Sequence, residues 1–202
     1  MTDRNEVIAA ALSCMLIEAH AIENAADTLG PQLLEAIELI SRAEGRVLVS
    51  GLGKSGLVGA KIAATLASTG TPAHFVHAGE ALHGDSGVVT KFDVAILISN
   101  SGETTEVCRF ASMLAAWQVP VIAMTARSDS TLARSAQVVL DLWVEKEGDP
   151  LGLAPTASTA VTLALGDALA VGLMTLNGFT TDDFAARHPG GALGAALTGG
   201  EP

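Results

Sequence analysis

Apolar positions recur along this chain in two rhythms, one helical and one extended. Over residues 6–29, Val7, Ile8, Ala11, Leu12, Met15, Ile17, Ile22 and Leu29 return at helical spacing until Gly30-Pro31 stops the run. A second helical stretch covers residues 32–43. Short aliphatic runs at residues 46–50, 73–76, 93–98, 119–124 and 136–140 read as strands, with helical patterns after Gly56, over 103–117 and over 131–134. Five strands alternating with helices predict a doubly wound, mostly parallel α/β sheet covered on both faces, with helices ahead of it. The most apolar segment, residues 160–176, contains Gly166, Asp167 and Gly172. It falls short of the ~20 apolar residues of a membrane span and reads as a helix at the centre of the fold or at a subunit contact.

Composition narrows the function classes. A 202-residue chain that is 49% hydrophobic and 16% charged can bury one sizeable core. Its net charge of -11 speaks against a general nucleic-acid or anionic-membrane surface, so an anionic substrate needs a local cation, for which Lys54 is the first candidate. Cys14 and Cys108 are too few for a disulfide framework and lack metal-type spacing, which points to a reducing compartment. Asp3, Arg4 and Glu6 precede the first apolar run without a signal-peptide pattern, so the expected location is the cytoplasm.

The chemistry-bearing stretch is residues 95–106, an apolar strand that breaks into Ser99, Asn100, Ser101, Gly102 and Glu103 and restarts as helix at Thr104, Thr105 and Glu106. Unpaired N–H groups and hydroxyls at a helix start make a phosphate cradle. The structural alternative is that Ser101 or Thr104 simply caps the helix. Gly51-Leu52-Gly53-Lys54-Ser55-Gly56 follows the first strand. It lacks the upstream glycine of a Walker loop, where Leu48 stands, and no acidic residue closes the second strand as a dinucleotide fingerprint requires, although Glu80 keeps that alternative open. Of the nearby histidines, His74 falls inside a strand, while His77 and His83 lie beyond it. With strand order 2-1-3-4-5, the switch point lies between strands one and three, and Lys54 then faces Ser99, Ser101 and Thr104 across one crevice. A phosphorylated small molecule fits that arrangement. Residues 141–156 form a Pro- and Gly-punctuated loop ending at a helix cap, Thr156 or Ser158, and residues 187–194 close with a His-Pro-Gly-Gly turn at His188.

The strand followed by Ser99-Asn100-Ser101-Gly102-Glu103-Thr104 resembles the phosphate site of sugar isomerase (SIS) domains, which bind or isomerise phosphosugars. With Gly53-Lys54-Ser55-Gly56, His83-Gly84-Asp85, the 150–156 segment PLGLAPT and the 188–194 segment HPGGALG, residues 45–194 resemble the arabinose 5-phosphate isomerase family. The resemblance implies a SIS-type five-stranded sheet over 45–202 behind a helical segment 1–44. It also implies interconversion of D-ribulose 5-phosphate and D-arabinose 5-phosphate, which supplies the Kdo of lipopolysaccharide. Implied partners are the phosphosugar and further copies of the chain, in a homotetramer with sites shared between subunits, and neither nucleic acid nor membrane; no cofactor is implied. By the same resemblance Lys54, Glu106, Glu147 and His188 are catalytic, and Gly53, Ser55, His83, Ser99, Ser101, Thr104 and Thr105 bind substrate. His77 matches a position of inhibitory zinc, incidental to the chemistry. Long relatives continue into a pair of CBS modules, whereas this sequence ends at Pro202, so no such regulatory domain is expected.

Aldose–ketose isomerisation needs ring opening and a proton moved between C1 and C2 through an enediol, hence a base and an acid. Glu106 or Glu147 serves as base if burial raises its pKa, His188 opens the ring or shuttles the proton, and Lys54 stabilises the enediolate. Taken alone, Glu106 reads as a solvated helix carboxylate and Glu147 as part of a charge cluster with Glu145 and Lys146. The alternatives are a non-catalytic phosphosugar sensor and an isomerase of another ketose phosphate such as hexulose 6-phosphate.

Overall fold

The strands predicted from the apolar runs assemble in one direction. In a computed structural model that describes residues 3–189, β1 (Val47–Gly51), β2 (Ala73–His77), β3 (Val94–Ile98), β4 (Val121–Thr125) and β5 (Val138–Asp141) pair in parallel in the order β2-β1-β3-β4-β5. That is the order under which the switch point falls between β1 and β3. β1, β3 and β4 are buried at every position, which is why their sequences run apolar without alternation, whereas the edge strands β2 and β5 are only partly covered.

Alternate strand residues feed two cores. Val47, Val49, Ile96, Ile98, Ile122 and Met124 join a cluster with α1 (Arg4–Thr28), α2 (Gly30–Ser41), α3 (Gly53–Ser68) and α7 (Ala157–Asn177). Leu48, Ala95, Leu97, Val121 and Ala123 face the other way, onto α4 (Ala78–Ala81), α5 (Thr105–Ala116) and α6 (Thr131–Arg134). A short helix, α8 (Thr181–Arg187), ends the described chain. The N-terminal pair contributes Ala21, Leu29, Ala36 and Ile40 to the first cluster and so shares the sheet's own core.

Two strand starts shift inward by two residues from the sequence expectation. Gln118 adopts φ +60, Val119 N–H closes onto the Leu114 carbonyl at the end of α5, and Pro120 offers no N–H, so β4 begins at Val121 and not at 119. Ala136 N–H likewise bonds the Ala133 carbonyl, and β5 begins at Val138.

The apolar segment around residues 160–176 is the core helix α7. It is long and apolar enough to cross a membrane, as is α1, by length and composition. In this fold α7 buries Val161, Leu165, Leu169 and Leu173 and is tied to α3 by a Lys61–Asp167 ion pair. α1 lies along α7 with Val7, Ile8, Leu12, Met15 and Leu16 each more than half exposed. The α3–α7 contact is tight at Gly166, where a Cβ would stand 2.3 Å from Cγ1 and 2.5 Å from Cδ1 of the fully buried Ile62. Gly166→Leu is therefore expected to lower stability by about 3 kcal/mol, the upper end of overpacking in a filled core. Urea unfolding of that protein, and of one that also carries Ile62→Ala, checks this, with the second change restoring part of the loss.

Candidate functional site

Because all strands run one way, α3, α5 and α7 all begin at the carboxyl edge of the sheet. The N-cap of α3 is Leu52, whose side chain has no acceptor to offer, and Gly53 enters the helix at φ +57, where a side chain would be strained. The first turn of α3, with Lys54 and Ser55, therefore has no side-chain cap. Thr104 is the N-cap of α5 by position, but its hydroxyl pairs with Ser99 Oγ at 2.9 Å and leaves the α5 first turn uncapped as well. By contrast Asp3, Ser130 and Thr180 cap α1, α6 and α8 with their own side chains. Uncapped helix starts after β1 and β3 present free donors and positive dipole ends on either side of the switch point.

A cleft of about 190 Å³ opens there, with Leu52, Lys54, Ser55 and Asn100 on one side and Pro155, Ser158, Thr159 and Thr162 on the other. Lys54 is exposed and lines the cleft. The Asn100 loop is braced from β4 and α6. Ala126 N–H and Thr125 Oγ1 donate to the Asn100 carbonyl at 3.0 and 3.3 Å, and Leu132 N–H donates to that of Gly102 at 3.0 Å. Glu103 accepts from Thr131 N–H at 2.8 Å, and hydrogen bonding from Thr131 holds its carboxyl below the usual range. Gly102, at φ +66, is required by packing too, since a Cβ would stand 2.0 Å from Ser130 Oγ.

Of the sequence-predicted residues, the cleft gathers Lys54 and Ser55, with Gly53 adjoining them. Ser99 is 3% exposed with its hydroxyl engaged to Thr104, so it positions the loop. Ser101 is exposed and accepts from Glu103 N–H at 3.2 Å. Thr105 and the half-buried Glu106 sit on the first turn of α5, and Glu106 makes no side-chain hydrogen bond to the described residues. His77, at the N-cap of α4, and His83, just past that helix, are exposed and do not line this cleft. Among the described residues no three His, Cys, Asp or Glu side chains come together as a metal site. Sequence reading missed Asn100, Ser158, Thr159 and Thr162. Ser158 and Thr162 stand four apart in a mostly apolar helix and so share one face of its first turns.

Glu147 lies one layer behind the cleft and is the N-terminal anchor of α7. Its carboxylate accepts from Thr156 N–H at 2.8 Å, Ser158 N–H at 3.2 Å, Thr156 Oγ1 at 3.2 Å and Ser158 Oγ, while Thr156 Oγ1 accepts from Gly148 N–H at 2.7 Å. Burial is the largest single influence and works against its charge, but the bonds from Ser158 and Thr156 together outweigh it and hold the carboxyl below its ordinary pKa. This corrects the expectation that burial raises Glu147 towards neutrality, because a carboxylate accepting several N–H and O–H groups is a stabilised anion. Gly148 beside it packs on α1, where a Cβ would stand 2.6 Å from Cys14 Sγ.

His188 stands elsewhere. From the cleft, α7 runs 21 residues, roughly 30 Å at the helical rise. Its last residue, Asn177, lies beside Gly70 and Thr71 at the amino edge of the sheet. Phe179 packs on Gly70, and the Arg187 guanidinium lies 5.2 Å from the centre of the Phe179 ring. His188, the C-cap of α8, is thus held at the opposite end of the molecule from Lys54 of the same chain. The Gly190–Gly194 part of the closing motif lies outside the described residues.

Comparison with known proteins places this geometry in a family. The arabinose 5-phosphate isomerase KdsD of Pseudomonas aeruginosa is 48% identical over 98% of this chain and 60% of its own length. That of Escherichia coli K12 is 50% identical over 91% of this chain and 56% of its own length. The chain thus spans about 60% of the length of the curated relatives it matches. The solved structure of E. coli CFT073 c3406 in complex with arabinose 5-phosphate superposes with a TM-score of 0.89 at 41% identity, covering 93% of this chain and all of that one. Residues 39–172 match the SIS domain, and the chain belongs to the SIS-domain family.

Proposed function

We propose that the chain is an aldose–ketose isomerase that interconverts D-ribulose 5-phosphate and D-arabinose 5-phosphate through an enediol, in the cytoplasm and in the supply of Kdo for lipopolysaccharide. The observation that carries this reading is the pair of helix starts without side-chain caps, α3 with Lys54 in its first turn and α5, that follow the two strands at the switch point. Free N–H donors and a cation fit a phosphate or an enediolate oxygen. The two KdsD relatives and the neighbour bound to arabinose 5-phosphate support the sugar and the reaction.

In this reading Lys54 neutralises charge on the enediolate, Gly53, Ser55, Ser101, Thr104 and Thr105 surround the substrate, and His83, which does not line this cleft, contacts it from a second copy of the chain. Glu106, half-buried beside the α5 N-terminus, is the better-placed proton acceptor, because the Glu147 carboxylate is already committed to Thr156 and Ser158. Glu147 acts through α7, whose first turns carry Ser158, Thr159 and Thr162 into the cleft wall. His188 is supplied by a second copy of the chain, since its own α8 holds it at the other end of the sheet. The exposed apolar stripe of α1, with Val171 and Leu176 of α7, offers the surface for such an assembly, a homotetramer. The chain is read as a helical segment 1–44 on a SIS unit 45–202. His77 has no part in the reaction, and zinc there is inhibitory.

Ribulose 5-phosphate incubated with the protein in deuterated water is expected to gain deuterium at carbon as arabinose 5-phosphate appears, followed by NMR. Binding without exchange or product would move the reading to a sensor, and exchange confined to another ketose phosphate would change the substrate. Lys54→Ala and His188→Ala are each expected to lower turnover by about 10²-fold or more. Refolded together at equal amounts they should recover about a quarter of wild-type turnover, because half of the neighbouring pairs are mixed and one of their two sites is intact. No recovery would place both groups in one chain's site.

The depressed Glu147 carboxyl sets a pH signature. Its contribution to stability is complete above the unfolded value of about 4.3 and is lost as pH falls through the lower folded value. Thermal unfolding should therefore show wild type ahead of Glu147→Gln at neutral pH, with the gap closing as pH drops below about 4.3. A gap that stays constant into acid would remove the anion from the account.

A further inference from the structure

His188 is held by one residue of its own helix. Its Nδ1 lies 2.8 Å from the Phe184 carbonyl oxygen, and its ring stacks on the Phe184 ring with centroids 3.9 Å apart and planes 17° from parallel. The carbonyl is free for this contact because His188 N–H bonds Ala185 at 3.1 Å, which leaves Phe184 O among the unpaired carbonyls of the helix end. A carbonyl oxygen only accepts, so the bond requires the hydrogen on Nδ1. Nε2 is then the unprotonated nitrogen of the neutral ring. When the ring takes up a proton, Nδ1–H stays in place, so uptake and release both occur at Nε2.

The support beneath this contact is rigid for so short a helix. Thr180 and Asp183 form a reciprocal capping box, with Asp183 N–H donating to Thr180 Oγ1 at 3.2 Å and Thr180 N–H donating to Asp183 Oδ2 at 3.0 Å. Arg187 donates to the Asp183 carbonyl at 3.1 Å and covers Phe179. A histidine that only ended a helix would need the carbonyl bond alone. The parallel ring on Phe184 also sets the plane in which the imidazole presents Nε2.

We infer that Phe184 is a positioning residue, fixing His188 in the Nδ1–H tautomer and in one ring plane so that Nε2 alone exchanges a proton with the sugar. The inference rests on the isomerase reading of His188, and its structural half is measurable without substrate. In the full chain labelled with ¹⁵N-histidine, the His188 signals are those lost in His188→Gln. At a pH where the ring is neutral, Nδ1 is expected in the pyrrole-type range and Nε2 in the pyridine-type range of a long-range ¹H–¹⁵N spectrum. Phe184→Leu keeps the carbonyl and removes the ring; it should lower kcat about tenfold, part of the 10²–10⁴ that a positioned acid–base group supplies, with KM within about twofold. Phe184→Tyr should restore kcat.

The reverse tautomer in an active wild type, or wild-type kcat in Phe184→Leu, overturns the inference. An inactive wild type that shows the Nδ1–H tautomer overturns the isomerase reading and not the geometry. If Phe184→Leu does not fold, the wild-type tautomer and the Phe184→Tyr rate still decide.

Discussion

The single direction of the five strands is the constraint from which the site follows. In a parallel sheet every strand ends at one edge, so the helices that follow start there and their N–H groups and dipoles converge. Reversing one strand would send its helix start to the far edge. Side chains cap α1, α6 and α8, whereas α3 and α5, like α2 and α4, have no side-chain cap; of these, the starts of α3 and α5 follow the two strands between which the strand order opens a crevice. In a chain of net charge -11, such local polarity, together with Lys54, is what makes an anion site feasible.

The third helix at that edge is handled differently. α7 begins with an anion of the protein's own, Glu147, drawn to it from nine residues upstream. Its charge offsets the positive end of α7, so the favourable anion position of this helix is already filled while those of α3 and α5 remain open. A carboxylate so engaged is a poor proton acceptor and a good anchor. Its loss acts on the cleft wall through Ser158, Thr159 and Thr162, and a fall in activity on changing Glu147 would not by itself identify a base.

Much of this was legible in the sequence, and the remainder was hidden for reasons that particular residues make clear. Uninterrupted apolar runs gave away buried parallel strands, and polar loops after the first and third fixed the crevice and Lys54. Val119 reads as strand because it is apolar and β-branched, yet its burial serves the turn that ends α5. Glu147 sits beside Glu145 and Lys146 and looks solvated; only the folded loop brings Thr156 and Ser158 to it. Motif resemblance names His188 among the site residues but carries no information on distance. That depends on the length of α7 and on where Phe179 packs, neither of which a local motif encodes.

The separation of Lys54 from His188 bears on how the site can be built at all. One sheet offers its helix starts at one edge, and α7, once used as cleft wall and core helix, delivers whatever follows it to the other edge. On the proposed isomerase reading, His188 on that following segment reaches a crevice only by crossing to another copy, which makes assembly a condition of that chemistry. The exposed stripe on α1, formed by Val7, Ile8, Leu12, Met15 and Leu16, runs along that same α7. Burying it against a second chain would supply the hydrophobic driving force that holds two half-sites in register. On the same reading the capping box of α8 would serve the chemistry, since a side chain acting across a boundary gains most from being oriented before the partner arrives.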